Sequence, residues 1–323
     1  MKIVLPGGTG QVGTLLARAF HRDGHEVIVL SRQGHHLGQS PPWRVAVWDA
    51  RSPGPWESEF ESADAVINLA GRSVNCRYTP ANRRVIKDSR VDSTRLVGEA
   101  IARRRRPPRV WLQASTATIY AHRFDAPNDE FTGRLGGSEP DAPDTWNFSI
   151  DVASSWEHTA AALIEATPGT RQVLMRSAIT MNPDPGSAFC VLLNLVRLGL
   201  GGASGDGRQF VSWIHEEDFV RAVYWLIERD ELSGPVNLAA PHPLPNREFM
   251  RALRTAWGMP VGLPATRAML EVGAWFLRTE TELILKSRRV VPTRLMQTGF
   301  DFRFSEWLPA ARDLCRRWRS LRH

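Results

Sequence analysis

The sequence predicts an α/β fold in which a doubly wound parallel sheet is followed by a smaller α+β lobe. Two observations predict it. Short apolar runs alternate with helical patterns over the first half of the 323-residue chain. From about Ser177 onward this alternation weakens, and Gly-rich and Pro-rich turns interrupt shorter helical stretches. Strands that alternate with helices form right-handed βαβ crossovers, so they build a parallel sheet that helices cover on both faces.

The first strand, turn and helix follow directly from the order of apolar residues. Residues 2–5 predict a short strand, and a glycine-rich turn comes after it. A helix is indicated next by apolar side chains at helical spacing, namely Val12, Leu15, Leu16, Ala19 and Phe20. Gly24 ends this helix, and the apolar run 27–30 predicts a second buried strand.

The later elements continue the alternation. Strands are predicted at 44–48 and 65–69, and a long helix at about 80–106. The sheet resumes at 110–112 and again at 172–175. The helix before this last strand carries Trp156, Ala160, Leu163 and Ile164.

This organisation predicts two domains and an ordinary globular composition. The first domain covers 1–176 and the second lobe 177–323, and segments near 210–240 are available to complete the sheet. Hydrophobic residues make up 42% of the chain and charged residues 23%. Both values are typical of a folded domain, so extensive disorder is not expected.

The cysteines and the apolar runs indicate the cellular compartment in which the protein is expected. Cys76, Cys190 and Cys315 are too few and too scattered for a disulfide framework or a zinc site, so no metal is predicted. No apolar run reaches the roughly 20 residues that span a bilayer. The first residues of the sequence predict a strand rather than a signal peptide. We therefore expect a reducing, cytoplasmic compartment and no membrane partner.

The charge balance raises the question of nucleic-acid binding, because the formal net charge is +7 and the pI about 10.0. The basic residues are spread over the whole chain, and only three of the 41 are lysines, which indicates a compositional bias toward arginine. The densest runs, Arg103–Arg106 and Arg316–Arg322, coincide with predicted helix ends, where cations complement the dipole. We therefore interpret both arginine runs as solvated helix ends rather than as a nucleic-acid-binding surface.

A glycine motif, G-x-x-G-x-x-G, joins the first strand to the first helix through Gly7, Gly10 and Gly13. Such a turn is tight, and its bare backbone lets a pyrophosphate approach the helix N-terminus, where free N–H groups face the anion. In this strand–turn–helix context the motif predicts dinucleotide binding, rather than a turn used only for packing. The predicted contacts of the turn also include Thr9, Gln11 and Val12.

The end of the second strand indicates which dinucleotide is bound. NAD sites place Asp or Glu there to hold the ribose hydroxyls, whereas NADP sites avoid the acid and supply arginine. This chain has Ser31 and Arg32 at that point and no carboxylate. The absence of the acid, more than the arginine itself, favours NADP(H) over NAD(H).

Several motifs together resemble a known family. In the first half they are Gly7-Gly8-Thr9-Gly10, Gly24-His25-Glu26-Val27, Asn68-Leu69-Ala70-Gly71 and Asp88-Ser89-Arg90. In the second half they include a glycine-rich block from Gly199 to His215, Asn237-Leu238-Ala239-Ala240-Pro241 and Gly299-Phe300. With these motifs nearly the whole chain resembles the atypical extended short-chain dehydrogenase/reductases. The resemblance is to the epimerase-like branch that carries an additional C-terminal domain of unknown function.

The resemblance implies a Rossmann-like domain that binds NADP(H) and a C-terminal lobe that closes over a substrate cleft. It implies that Ser31 and Arg32 contact the 2′-phosphate side, and that Arg90 approaches the cofactor from the helix after the fourth strand. The motif at 68–71 implies a backbone that passes close to the nicotinamide ribose. A buried strand that ends in a glycine turn explains the same four residues without a cofactor.

The acid/base pair usual in the family is missing. Typical members carry Tyr-x-x-x-Lys, in which the lysine lowers the pKa of the tyrosine so that the phenol passes a proton. None of the three tyrosines here has lysine four positions later, and by motif position Ser149 replaces the tyrosine and Ala153 the lysine. The serine or threonine that accompanies this pair in the family is present as Thr116, beside Ser115. Both are predicted catalytic residues. The alternative is that these hydroxyls only satisfy backbone groups at a strand end.

Three loops supply further candidates. His215 is a candidate catalytic residue, although a histidine at this position usually ties the second lobe to the sheet in the family. Arg208 and Gln209, in the glycine-rich loop, are predicted to hold a substrate anion or else to stabilise a turn. Tyr78 lies in the loop after the fourth strand, near the expected position of nicotinamide, and is a predicted substrate contact.

Two functions remain open on the sequence. The first is an NADP(H)-dependent oxidoreductase or epimerase-like enzyme with atypical or weak catalysis on an unknown small molecule. The second is a non-catalytic NADP(H)-binding redox sensor or partner-binding protein. The missing tyrosine and lysine favour this second function. The 12 tryptophans also favour it if some of them form an interaction surface. A monomer or a homodimer is expected in either case.

Overall fold

The computed structural model describes residues 1–32, 41–139, 143–266, 269 and 282–322. The strands are β1 (Lys2–Pro6), β2 (Glu26–Ser31), β3 (Arg44–Val47), β4 (Ala65–Asn68), β5 (Val110–Thr116), β6 (Arg171–Ser177), β7 (Ile179–Met181), β8 (Phe210–Val211), β9 (Trp213–His215), β10 (Gly234–Leu238) and β11 (Leu244–Pro245). The helices are α1 (Gln11–Arg22), α2 (Pro80–Ala102), α3 (Asp144–Ala161), α4 (Ala188–Arg197), α5 (Glu216–Glu228), α6 (Asn246–Trp257), α7 (Glu282–Leu285), α8 (Thr293–Gln297) and α9 (Trp307–Ser320). Two 3₁₀ turns lie at Pro55–Phe60 and Ala117–Ile119.

The central sheet has the strand order β10-β6-β5-β4-β1-β2-β3 within the described residues, and every pair in it is parallel. The predicted α/β fold with a doubly wound parallel sheet is therefore confirmed. The chain leaves β1 toward β2 on one side and returns through β4 on the other. Such a reversal opens a crevice at the carboxyl ends of the strands, which is where ligands bind in sheets of this kind.

Helices cover both faces of the sheet because both faces of its central strands carry buried apolar side chains. On one face α1 and α5 pack against the strands through side chains such as Leu16, Phe20 and Phe219. On the other face, side chains of α2 and α3 such as Val97 and Ala160 surround Trp111 of β5. Burial of this kind contributes roughly 1.5–3 kcal/mol for each large apolar side chain.

The second lobe has its own core. Helices α4, α6 and α9 enclose aromatic side chains, and the rings of Phe249 and Trp307 stack with their centroids 4.1 Å apart. The segment after α7 ties this lobe to the loop that follows β5, because Asn128 N donates to Arg289 O at 2.7 Å and Val291 N donates to Asn128 O at 3.0 Å. The lobe therefore borders the carboxyl edge of the sheet.

Two predicted helix ends differ from the structure. Helix α2 ends at Ala102 rather than near 106, and Arg104 N donates to Ile101 O at 3.0 Å, a three-residue bond that tightens the last turn. Arg103 and Arg104 then turn back to the carboxylate of Glu57, at 2.9 and 3.3 Å. Helix α3 ends at Ala161, so Leu163 and Ile164 lie in the turn that follows it.

Candidate cofactor and active site

The glycine turn brings two strand ends into backbone contact. Gly7 has φ +74° and donates its N–H to Leu30 O at 3.0 Å. A Cβ atom on Gly7 would lie 2.6 Å from Ala70 Cα, and one on Gly13 would lie 2.5 Å from Gly8 Cα. Both distances are too short for any side chain. The tight turn inferred from the motif is thus required by the packing of β1, β4 and α1.

The start of α1 is open to an anion. Gly10 is the residue before the helix, with no side-chain cap, and no acidic residue lies in the first turn. Thr14 N makes the first intrahelical bond, to Gly10 O at 2.8 Å. The amides of Gln11, Val12 and Gly13 therefore have no carbonyl of the helix to bind, as is general for the first turn of a helix. Free amides and the positive end of the dipole suit a pyrophosphate.

The second lobe closes one side of this opening. Gln11 Nε2 donates to Pro185 O at 3.3 Å, and Arg18 pairs with Asp184 at 2.9 Å. The loop at 184–186 thus faces the N-terminal turn of α1. A ligand held by that turn would lie between the two lobes.

A cavity of about 580 Å³ lies at the ends of β2 and β3. Arg32 and Arg51 both line it, and Ser31 beside it is buried. Asp49 also lines the cavity, but its carboxylate accepts hydrogen bonds from Arg51 N and Ser52 N, each at 2.8 Å, and these bonds lower the pKa of Asp49. Arg51 was not predicted from the sequence, because only the pairing of β2 with β3 brings it to the cavity.

The turn after β4 is held by its own side chains. Asn68 is fully buried, donates to Gln113 Oε1 at 2.9 Å and accepts from Ala70 N at 3.1 Å. Its polar groups are therefore used to shape the turn. The backbone of 69–71, which faces Gly7, is left as the part that a cofactor can contact.

Arg90 anchors the loop that follows this turn. Its Nη1 donates to Arg72 O at 3.0 Å and to Ile86 O at 2.9 Å, and its guanidinium lies 5.1 Å from the ring of Trp156. Burial lowers the pKa of Arg90 to about 10. A direct contact with cofactor stays a prediction, and the observed bonds give Arg90 a structural role already.

The hydroxyls at the end of β5 differ in their surroundings. Ser115 is buried and donates to Glu157 Oε1 at 2.6 Å, and Glu157 forms a two-bond ion pair with Arg176, at 2.8 and 2.7 Å. Thr116 is half-buried, and its Oγ1 accepts from Thr118 N at 3.2 Å. Thr116 is the more available of the two hydroxyls. Glu157 and Arg176 were not foreseen, since they approach Ser115 from α3 and β6.

The two positions at which the motif comparison expects tyrosine and lysine differ in burial. Ala153 is fully buried, whereas Ser149 is half-buried and donates its hydroxyl to Glu282. Tyr78 is buried nearby, with its ring 5.0 Å from that of Phe148, the residue before Ser149. A hydroxyl and a carboxyl group therefore lie side by side at Ser149, the position at which the motif comparison expects a phenol.

His215, which was predicted to be catalytic, has both ring nitrogens beside residues of the second lobe. His215 is fully buried, stacks on Phe304 at 3.9 Å, and caps α5 by accepting from Glu217 N at 3.1 Å. Its Nε2 lies 3.3 Å from Asp313 Oδ2. Burial lowers the pKa of His215 to about 4. These contacts favour the structural interpretation of this histidine.

The two substrate-binding residues predicted in the glycine-rich loop differ in their exposure to solvent. Gln209 is buried, and its Nε2 donates to Ser204 O at 2.9 Å and to Ile284 O at 3.2 Å, so its amide nitrogen stabilises the loop. Arg208 is exposed, with its guanidinium 5.8 Å from the ring of Phe124. Only Arg208 has a side chain free to reach into solvent, and its role with a substrate anion stays a prediction.

Within the described ranges the structure contains neither a metal-binding cluster nor a membrane-spanning helix. No group of three or more His, Cys, Asp or Glu side chains there is placed to hold a metal ion. No helix described there is long and apolar enough to cross a membrane.

Comparison with known proteins gives consistent results along the chain. Residues 3–142 match the NAD dependent epimerase/dehydratase family, and residues 265–314 match a domain of unknown function, DUF1731. The human epimerase family protein SDR39U1 is 31% identical over 319 residues, which cover 97% of this chain and 99% of the relative. The epimerase family protein YfhF of Bacillus subtilis is 31% identical and covers 95% of each chain.

Solved structures agree with these relatives. The crystal structure of human SDR39U1 (isoform 2) with NADPH has a TM-score of 0.82 at 29% identity, and covers 98% of this chain and 99% of that one. UDP-N-acetylglucosamine 4-epimerase from Bacillus cereus has a TM-score of 0.73 at 17% identity, covering 99% of this chain and 96% of that one. The latter likeness concerns the fold alone.

Proposed function

Because the chain belongs to the epimerase family that includes SDR39U1, we propose that it is an NADP(H)-dependent oxidoreductase with an epimerase-like architecture, acting on a small molecule. The family predicted from the sequence motifs is confirmed by these relatives.

The observation that carries the proposal is the contact between the glycine turn and the end of β4. Gly7 has space for no side chain because Ala70 Cα occupies it, and the amides at the start of α1 face the same opening. These residues fit a dinucleotide, since its pyrophosphate needs bare backbone and unpaired N–H groups. A glycine turn used only for packing does not require the helix N-terminus to stay uncapped.

The phosphorylated form of the cofactor is favoured by the neighbouring cavity. Arg32 and Arg51 line it together, and Ser31 supplies a hydroxyl beside it. Two guanidinium groups suit a 2′-phosphate, because arginine binds phosphate oxygens through charge-assisted hydrogen bonds. NADPH is also the ligand of the human relative's crystal structure.

The chemical step would take place at the carboxyl end of β5. A bound nicotinamide exchanges hydride with a substrate carbon. Thr116 is half-buried at the strand end and can hydrogen-bond the substrate oxygen, while Ser115 is held by Glu157. Positioning of this kind supplies a large part of catalysis even without the phenol and lysine of typical members.

A second candidate, a non-catalytic NADP(H)-binding redox sensor, is favoured by one observation. Ser149 and Ala153 stand where the family pattern has tyrosine and lysine. A proton route typically contributes 10²–10⁴-fold to the rate, so its loss is compatible with binding without turnover.

Calorimetry and a turnover screen test both candidates. We expect saturable binding of NADPH and at least about tenfold weaker binding of NADH, which corresponds to about 1.4 kcal/mol. The variant Gly10→Ala should keep its stability, because the nearest atom to the new Cβ is Gly7 O at 3.8 Å, but should bind NADPH more weakly. Loss of absorbance at 340 nm with any compound of a carbonyl panel supports the enzyme. NADPH binding without such loss supports the sensor, and no binding of either nucleotide contradicts both.

A further inference from the structure

Three buried charged side chains lie close to the proposed active site without a part in cofactor binding. Glu282, Lys286 and Arg288 come from the segment that begins with α7, and their exposed fractions are 1%, 1% and 8%. A buried charge is costly unless hydrogen bonds or opposite charges compensate for it. Packing of the second lobe alone does not require three of them within seven positions.

The carboxylate of this group reaches α3. Ser149 Oγ donates its proton to Glu282 Oε2. Ser149 is half-buried, whereas Glu282 is nearly inaccessible. Ala153, one turn after Ser149, packs in one cluster with Ala117, the residue after Thr116. Ser149 therefore stands beside the end of β5, where the substrate oxygen is expected.

The two cations reach the same strand end. Lys286 Nζ donates to Thr118 O at 2.9 Å, and Arg288 Nε donates to Thr118 Oγ1 at 3.1 Å. Arg288 Nη2 lies 3.8 Å from Glu282 Oε1. The second lobe thus brings a carboxylate and two cations to the residues that follow Thr116.

We propose that Ser149 and Glu282 form the proton relay of this active site, with Ser149 as the catalytic residue that touches the substrate oxygen and Glu282 as the proton acceptor behind it. The inference rests on the proposed oxidoreductase function. Because the Ser149 proton is directed at the carboxylate, the lone pairs of its Oγ are available to accept a proton from a substrate hydroxyl. The substrate class is then a secondary alcohol and its ketone, or a primary alcohol and its aldehyde.

The step balances in both directions. In oxidation the substrate O–H bond breaks and its proton moves to Ser149 Oγ, while the proton of Ser149 moves to the Glu282 carboxylate. The C–H bond breaks at the same time, the carbonyl double bond forms, and NADP⁺ accepts the hydride as the oxidant. In reduction NADPH would supply the hydride to the carbonyl carbon, Ser149 Oγ gives the substrate oxygen the proton that the new alcohol keeps, and the carboxylic acid of Glu282 returns its proton to Ser149.

The surrounding charges suit a carboxyl group that must be ionised to accept a proton. Lys286 and Arg288 both act on Glu282 electrostatically, and a nearby cation favours the carboxylate. Burial, followed by the charge of Arg288, lowers the pKa of Lys286 to about 8. The other titratable groups that act on this cluster are His122 and Glu139, after β5, and Tyr78, before α2.

The test compares Glu282→Gln and Ser149→Ala with two control variants. Glutamine still accepts the hydrogen bond from Ser149 but takes no proton, so the contact is kept while the relay is removed. Ser155→Ala removes a hydroxyl of the same helix that faces Asp151 at 3.4 Å, and Glu130→Gln neutralises a carboxyl that accepts from Asn237 N at 2.9 Å. The assays are NADPH binding by calorimetry and single-turnover alcohol oxidation and ketone reduction, each from pH 4 to 10.

The expected result separates binding from proton transfer. Glu282→Gln and Ser149→Ala should bind NADPH within twofold of wild type and lose about 10²-fold or more in kcat. In wild type, oxidation should slow as the pH falls through the pKa of the relay, and this dependence should disappear in Glu282→Gln. Without any substrate, the ¹³C resonance of the Glu282 carboxyl, assigned by its absence in Glu282→Gln, should titrate at higher pH in Ser149→Ala.

The outcomes distinguish the relay from the function on which it rests. Wild-type protein that binds NADPH but turns over no alcohol or ketone contradicts the proposed enzyme and the relay together. Wild-type turnover with Glu282→Gln within threefold of it, or with Ser149→Ala unaffected, contradicts the relay alone. If Glu282→Gln does not fold, Ser149→Ala still decides, because it removes only one oxygen from a half-buried position.

Discussion

Replacing Gly7 by alanine adds a methyl group between two strands that are already in contact. The new Cβ would lie 2.6 Å from Ala70 Cα and 2.7 Å from Ala70 N, which are backbone atoms that no rotamer change can move. The residue also has φ +74°, a conformation that costs a non-glycine residue about 1–2 kcal/mol. Overpacking adds about 1–3 kcal/mol. We expect the free energy of unfolding to fall by about 2–5 kcal/mol, a large share of the 5–15 kcal/mol typical of a domain.

Gly24→Ala is the matched control. Gly24 has φ +79°, but no atom lies within 4 Å of its added Cβ, so this variant carries only the conformational cost of about 1–2 kcal/mol. Urea denaturation followed by tryptophan fluorescence measures both variants, and calorimetry follows NADPH binding. Equal losses of stability in the two variants would refute the reasoning, since the contact between the glycine turn and β4 would then contribute nothing.

Three further predictions follow from single features. The double variant Arg32→Ala, Arg51→Ala should weaken NADPH binding about tenfold or more and leave NADH binding unchanged in calorimetry. Equal effects on both nucleotides would contradict the role of the cavity in binding the 2′-phosphate. Lys286 binds its proton more weakly when folded than when unfolded, because burial lowers its pKa to about 8, so the unfolded chain holds more protons above that pH. The stability of wild type relative to Lys286→Met should therefore rise between about pH 8 and 10 in pH-dependent urea denaturation, and a flat difference would contradict the burial argument. Glu57→Ala should destabilise the protein by about 1–3 kcal/mol, since two arginines at the end of α2 lose their partner, and Glu61→Ala, at a more exposed site, should cost less.

The glycine turn was predictable because its determinants are local. A short strand, three spaced glycines and an apolar helical stripe follow one another within about twenty residues, and neighbours along the chain fold next to each other. The absence of a carboxylate after β2 is likewise a property of two consecutive residues, Ser31 and Arg32. The prediction of the fold class from alternating patterns succeeded for the same reason.

The proton-transfer chemistry was not predictable in this way. Glu282 lies 133 positions after Ser149, and no periodicity or spacing links the two. Lys286, one of three lysines, could not be assigned to the active site from the sequence. It lies outside the first-domain helix in which the family pattern has its lysine. Arg51 was missed similarly, since it reaches the cavity only through the pairing of β2 with β3.

The sequence by itself determined the parallel sheet and the glycine turn, and it predicted a preference for NADP(H), because each depends on residues that are close along the chain. The tertiary structure decided which side chains surround the end of β5, how Asn68, Gln209 and His215 use their polar groups, and where the second lobe contributes charge. The physical reason is that these contacts form only when distant segments fold back onto one edge of the sheet. Their energies depend on burial and distance, which the order of residues does not state.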